Sequence, residues 1–133
     1  MDAAIEERIR APLSAHLATC GRGPHVAPVW YVYEDDTLSV LTGGRKLRNV
    51  RQDPRVAASI ERARGGDVEW MVAIQGTATV VEDRDRIAAL DRRLGEKYRG
   101  ESGEDGDDGE DGDDEFDGAR LDIAVGSATL QRY

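Results

Sequence analysis

The sequence predicts a mainly β fold, a small antiparallel barrel or curled sheet of six strands with helices at its margins. Three observations carry this. Segments rich in β-branched and aromatic residues, such as HVAPVWYVY at 25–33, TLSVLT at 37–42 and VAASI at 56–60, recur between short turns rich in glycine, proline and aspartate. Helical spacing of apolar residues is confined to three stretches. The 133 residues, 39% apolar and 34% charged, suffice for one core with little apolar surplus. A single domain over residues 1–133 is therefore expected.

Residues 2–12 carry Ile5 and Ile9, with Leu13 at the next i+4 step, an apolar helical stripe stopped by Pro12. Residues 15–20 read as a short strand, and the two glycines and proline of Gly21-Arg22-Gly23-Pro24 as a turn. Residues 25–33 read as a second strand. Pro28 lacks a ladder donor there, which predicts an edge or a bulge. Glu34-Asp35-Asp36 turns the chain into a returning strand at 37–42, completing a three-stranded meander. After Gly43-Gly44, residues 45–53 form a short helix with Leu47 and Val50 three apart, closed by Asp53-Pro54. Residues 56–60 are a fourth strand. Residues 68–81 are a long fifth, in which Gly76 marks a bulge or a close backbone approach. Residues 83–99 place Ile87, Leu90, Leu94 and Tyr98 on one helical face, and 119–130 alternate as a last strand.

The net charge of −9 is local in origin. Residues 101–118 hold 11 acids and no base, leaving 16 acids against 18 bases elsewhere, a net of +2. An acidic, disordered insert is expected there, because glycine and like charges prevent packing. A calcium loop starting at Asp107 would find Gly109 and Gly118 at two ligand positions and so lacks two ligands. Among the bases, 16 are Arg and two are Lys, Lys46 and Lys97. Such usage suits a high-salt cytoplasm and a halophilic origin, although the near-neutral body lacks a uniformly acidic coat.

No run approaches the roughly 18–20 apolar residues of a membrane span, and the acidic N-terminus is unlike a signal peptide. One cysteine, Cys20, excludes an internal disulfide. A soluble cytoplasmic chain is expected. His16 and His25 with one cysteine do not make a zinc site, so no metal is expected. No nucleophile elbow, dinucleotide fingerprint or Walker loop is present. Enzymes acting through their own side chains are poorly supported, and a cofactor that brings its own chemistry fits better.

The segment Leu41-Thr42-Gly43-Gly44-Arg45-Lys46 stands out. A strand ends, two glycines permit a tight path, and a helix opens with two cations. Helix N-termini present unpaired N–H groups and partial positive charge, so cations there are unfavourable without a counter-ion. Either a bound phosphate, forked by Arg45 and met by Lys46, relieves this, or surface acids do, and Thr42 either caps the helix or donates to the anion. Trp30, Tyr31 and Tyr33 could wall a flat ring or fill a core or dimer interface.

The ordered series G-x-G-P-H-V-A-P-V-W-Y, L-x-V-L-T, G-R-K-x-R-N-V-R-x-D-P-R-V and V-x-I-x-G-T-A-x-V-V-E-D resembles the pyridoxamine 5′-phosphate oxidase-like flavin-binding split barrels over about residues 13–98. The resemblance implies a six-stranded antiparallel split barrel of Greek-key type and a homodimer with FMN, or alternatively a deazaflavin, at its interface. It places the cofactor phosphate on Thr42, Arg45 and Lys46. It lays the flavin ring against Pro28, Val29, Trp30 and Tyr31, with Leu41 beside it and Met71 where the oxidases often have glutamine. Val26 and Tyr31 stand where the oxidases carry arginine and lysine, and the chain ends at Gln131-Arg132-Tyr133 without their Arg-x-His segment. The implied function is a flavin-dependent oxidoreductase acting on a small-molecule substrate, with no catalytic side chain assigned. The alternative is a non-catalytic flavin- or haem-binding storage protein. Nucleic acid is not an expected partner, because the acidic tract repels phosphate backbones.

Overall fold

The computed structural model describes residues 1–99 and 118–133. The expectations for the acidic tract, Gly118 apart, lie outside the described residues. Helix α1 (Ala3–Ile9) starts where the Asp2 side chain accepts from the Ala4 N–H, and it buries Ile5 and Ile9. There follow β1 (Ala15–Thr19), β2 (His25–Val29), β3 (Val32–Glu34) and β4 (Thr37–Thr42), then α2 (Gly44–Gln52), β5 (Arg55–Arg64) and β6 (Asp67–Val81). Helix α3 (Arg84–Tyr98), capped by Asp83, and β7 (Ala119–Arg132) complete the fold.

All pairings are antiparallel, in the order β2-β1-β5-β6-β7-β4-β3. The non-sequential neighbours β1–β5 and β4–β7 give the Greek-key character. The two edge strands, β2 and β3, are consecutive in the chain and joined only by Trp30 and Tyr31. A flat sheet of this width would separate its edges by roughly 29 Å at about 4.8 Å per strand. Three Cα steps reach only about 11 Å. The sheet therefore curls into a split barrel, and the linker crosses from one edge to the other.

This corrects the strand count from six to seven and removes the predicted meander. Residues 25–33 do not form one strand: β2 pairs only with β1 and β3 only with β4. Pro28 lies on the edge strand β2, where its missing N–H costs no ladder bond. The β3–β4 hairpin turns through Asp35 and Asp36, both at positive φ (55° and 57°), as a two-residue hairpin loop requires.

The core fills the barrel with Leu17, Leu38, Ile60, Val72, Ile74, Leu121 and Ile123, and Ile5 and Ile9 of α1 pack into it. Tyr31, Tyr33 and Trp70 belong to this same core. Of the aromatic residues 30, 31, 33 and 70, three therefore fill the core, and Trp30 alone remains exposed, at 42%. Gly76 is a close approach beside a bulge: a Cβ there would lie 2.4 Å from the Ala124 carbonyl oxygen, and the β6–β7 register shifts between Gln75 and Gly76. Leu90 and Leu94 of α3 pack on Val32, with Leu41 and Tyr98 against them.

Candidate functional site

Strand β4 delivers Thr42 to the start of α2. Thr42 is buried, and its Oγ1 has no hydrogen-bond partner among the described residues. It does not cap the helix: the N-cap is Gly43, with no side-chain hydrogen bond, and the first turn holds no acid. A Cβ on Gly44 would meet nothing within 4 Å, so the helix start is open to a ligand. Arg45 is exposed and Lys46 half-buried, and neither makes an ion pair among the described residues. The arrangement is a helix N-terminus, a desolvated hydroxyl and two uncommitted cations, which together suit an anion.

Asn49, one helical turn after Arg45, ties this helix to the β1–β2 turn. It is fully buried. Its Nδ2 donates to Thr19 Oγ1 (3.0 Å) and to the Gly23 carbonyl (3.2 Å), and its Oδ1 accepts from the Arg22 N–H (3.1 Å). A Cβ on Gly23 would sit 3.8 Å from Arg45 Nη2, so the turn runs along α2 from Asn49 to Arg45. Asn49 is not among the residues that the sequence singles out. Its signal was an amide lying between Leu47 and Val50, on the face that α2 buries.

Along β2, Pro28 is exposed and Val29 half-buried, and Trp30 follows at the surface. Trp30 stacks on Tyr98, with ring centroids 4.4 Å apart and planes 4° from parallel. Tyr31 points its side chain into the core rather than outward with Trp30. Its side chain is wholly buried, and its hydroxyl donates to the Ile9 carbonyl at 2.7 Å. Its N–H donates to Tyr98 Oη, and its carbonyl accepts from Lys97 Nζ (2.9 Å) and Tyr98 Oη (3.1 Å). Burial drives the Tyr31 phenol pKa well above its ordinary value. Side chain and backbone are both committed to holding the crossing. Leu41 is half-buried beneath α3.

Met71 is not brought to this site within one chain. It pairs with Gln131 on β7, whereas Thr42 pairs with Ala119. These β7 partners are twelve residues apart, roughly 40 Å of strand path at about 3.3 Å per residue. Thr42, Arg45 and Lys46 are local neighbours; Pro28 and Val29 lie on the edge strand β2 and Trp30 in the crossing that follows it; Met71 lies at the far end of the sheet.

A shallow depression of about 660 Å³ lies on the outer sheet face, lined by Ala18, Ala57, Gln75, Gly76 and Ser127 among others, and by none of the predicted residues. Among the described residues no cluster of His, Cys, Asp and Glu could hold a metal ion, and no helix is long and apolar enough to cross a membrane.

Tyr98 is the most connected polar group near the crossing: it accepts from Tyr31 N–H and lies within hydrogen-bond distance of the Leu13 and Tyr31 carbonyls. Tyr98→Phe keeps the Trp30 stack and strands the Tyr31 N–H and the Leu13 carbonyl, while the Tyr31 carbonyl keeps Lys97. It is expected to destabilise the protein by about 2 kcal/mol, read as a lower urea midpoint with an unchanged m-value.

The sequence model of the family described as pyridoxamine 5′-phosphate oxidase matches residues 1–129. No curated protein matches the chain. Among solved structures, one described as an F420 reductase is 21% identical, with 93% of this chain and 94% of that chain covered and a TM-score of 0.69. An FAD-binding protein from Mesorhizobium loti is 18% identical, covering 98% and 94%, with a TM-score of 0.73. The haem-storage protein HutZ from Vibrio cholerae is 20% identical, covering 98% and 93%, with a TM-score of 0.72. At these identities the three structures establish a shared fold.

Proposed function

The chain belongs to the pyridoxamine 5′-phosphate oxidase family, and from that premise we propose that it is a flavin-binding split-barrel oxidoreductase that holds the phosphate of FMN, or of a deazaflavin, at the start of α2. The observation that carries the reading is Thr42 Oγ1, a buried hydroxyl without a partner among the described residues, at an open helix N-terminus beside Arg45 and Lys46. A buried polar group left unpaired is costly, and a phosphate oxygen supplies the missing partner. Two neighbouring structures described as an F420 reductase and an FAD-binding protein support a flavin-type ligand. The haem-storage neighbour offers a second ligand class, but an orphan hydroxyl with two cations suits a phosphate better than a porphyrin.

When bound, the flavin supplies hydride transfer at its own ring. The chain's part is to bind and orient. Arg45 forks the phosphate, Lys46 adds a point charge, and Thr42 donates. Pro28 and Val29 at the end of the edge strand, with Trp30 beside them in the crossing, present a surface for the ring. Tyr98 and Lys97 hold that edge in place through Tyr31.

The site is completed by a second copy of the chain. In a sequence that is 34% charged, the middle of the outer sheet face shows Ala18, Ala57, Ser59, Ala73, Gln75 and Thr77, none of them charged. Depletion of charge marks the centre of protein interfaces. Pairing two such faces would also offer a route for Met71 of one copy to approach the other copy's cofactor. Light scattering at micromolar concentration is expected to give twice the chain mass of 14.6 kDa; a mass near 15 kDa contradicts the dimer.

Thr42→Val tests the carrying observation. It swaps an unpaired hydroxyl for a methyl, so the cofactor-free protein is expected to melt at the same temperature or higher. FMN affinity is expected to fall about ten-fold, the weight of one charge-assisted hydrogen bond. A destabilised protein with unchanged FMN affinity would show that Thr42 serves the fold alone.

A further inference from the structure

A second basic cluster lies away from α2. The end of the first helical segment, β3 and the last turns of α3 border an open, shallow cavity of about 330 Å³, lined by Arg10, Val32, Tyr33, Arg93, Glu96 and Lys97. That volume is at the lower end of small-molecule sites. Lys97 is half-buried, and its Nζ donates to the Tyr31 carbonyl and lies 3.8 Å from the Tyr31 ring centroid. Arg10 lies over the Tyr33 ring at 5.3 Å. Neither Arg10 nor Lys97 forms an ion pair among the described residues, while Arg93 is paired with Glu34 at 3.0 Å. An exposed guanidinium and a half-buried amine thus share one concave wall, with Glu96 also in its lining and no carboxylate paired to either cation among the described residues. Such an arrangement is unfavourable in itself, and a bound anion would reverse the sign of the interaction.

We propose that this cavity is an anion site distinct from the start of α2, taking a small molecule that carries a phosphate or carboxylate group between Arg10 and Lys97. Arg10 offers a planar fork and Lys97 a point charge. Tyr33 and Val32 furnish an apolar floor against which a small organic body can lie. The cluster is not redundant with the cofactor site, since Lys97 also grips the Tyr31 carbonyl on the crossing that carries Trp30. Occupancy would therefore be felt at the edge strand, and by linkage a ligand at that edge would be felt here.

The charge state of Lys97 makes the site pH-dependent. Burial first, and then the Arg10 guanidinium, lower its amine to about 8. The groups facing it are Arg10 from the N-terminal segment, Tyr31 and Tyr33 from the crossing and β3, and Arg93, Glu96 and Tyr98 from α3. An anion favours the protonated amine, so binding must raise the Lys97 midpoint, and affinity must fall as pH rises past about 8.

The chain has only two lysines, so lysine labelled with carbon-13 at Cε gives two signals in the full-length protein, assigned with Lys97→Met. Inorganic phosphate and acetate are titrated separately, with ionic strength held constant by sodium chloride. The Lys97 signal is expected to shift saturably, with its titration midpoint rising when the site is full. Arg10→Gln is expected to weaken binding at least ten-fold, and Arg84→Gln, exposed at the other end of α3, to leave it unchanged. Saturation by phosphate alone identifies a phosphate reader, and saturation by acetate as well identifies a carboxylate reader. A shift that grows without saturating, or a saturable one indifferent to Arg10→Gln, overturns the proposal.

Discussion

Arg45→Ala and Lys46→Ala are each expected to weaken FMN binding roughly ten-fold to over a hundred-fold, while changing riboflavin binding far less. The estimate follows from a charge-assisted hydrogen bond worth about 1.5–3 kcal/mol and about 1.4 kcal/mol per decade of affinity. Both residues lie in the first turn of α2, and neither has an ion pair among the described residues that its loss would break. The folded structure should therefore tolerate their removal, and relief of like charge at a helix N-terminus should slightly stabilise it. Arg51→Ala is the matched control. Arg51 sits in the last turn of the same helix and pairs with Glu82 on the surface, so flavin affinity should hardly change. Equal losses for FMN and riboflavin would mean that the pair acts through folding rather than through phosphate.

Gly21→Ala is expected to destabilise the protein by about 3 kcal/mol or more, lowering the melting temperature by roughly 10–15 °C for a domain of this size. Gly21 has φ +40°, and a Cβ there would lie 2.4 Å from Asn49 Cα and 2.6 Å from its carbonyl oxygen. Both atoms are backbone and cannot rotate away, so α2 or the turn must move. Because Asn49 joins that turn to the helix bearing Arg45, the same substitution should also weaken FMN binding. Gly44→Ala separates strain from clash. It shares a positive φ, +59°, but has open space around it, so it should cost only about 1–2 kcal/mol. Thermal melts of the two variants without cofactor check this; equal stability would contradict the packing described for Asn49.

What the sequence revealed and what it hid follow the range of the interactions involved. The junction from Thr42 to Lys46 was legible because strand end, glycines, helix start and cations are neighbours in the chain. Helix α3 was legible because Leu90 and Leu94 repeat at helical spacing. The break in residues 25–33 was not. From Val29 to Tyr33 the residues are all β-branched or aromatic, so nothing local marks a break, and the crossing at Trp30 and Tyr31 is fixed by Lys97 and Tyr98, more than sixty residues away. The same contacts bury Tyr31, which local composition could equally have placed against a ligand. Met71 was placed by analogy with a flavin site. Its register on β6 opposite Glu61 and Gln131 puts it far from Thr42 in the same chain, a relation that only strand pairing reveals. Asn49 was hidden because a polar residue on a short basic helix reads as surface until the β1–β2 turn is folded over it.

The most direct measurement is a pair of titrations of the full-length protein, one with FMN and one with riboflavin, followed by flavin fluorescence and the visible absorption spectrum. A phosphate held by Thr42, Arg45 and Lys46 predicts that FMN binds at least ten-fold tighter than riboflavin, with a perturbed spectrum as the ring meets Pro28 to Trp30. Equal affinity for the two would remove the phosphate from the start of α2. Failure to bind either FMN or a phosphate-bearing deazaflavin would contradict the account at its centre.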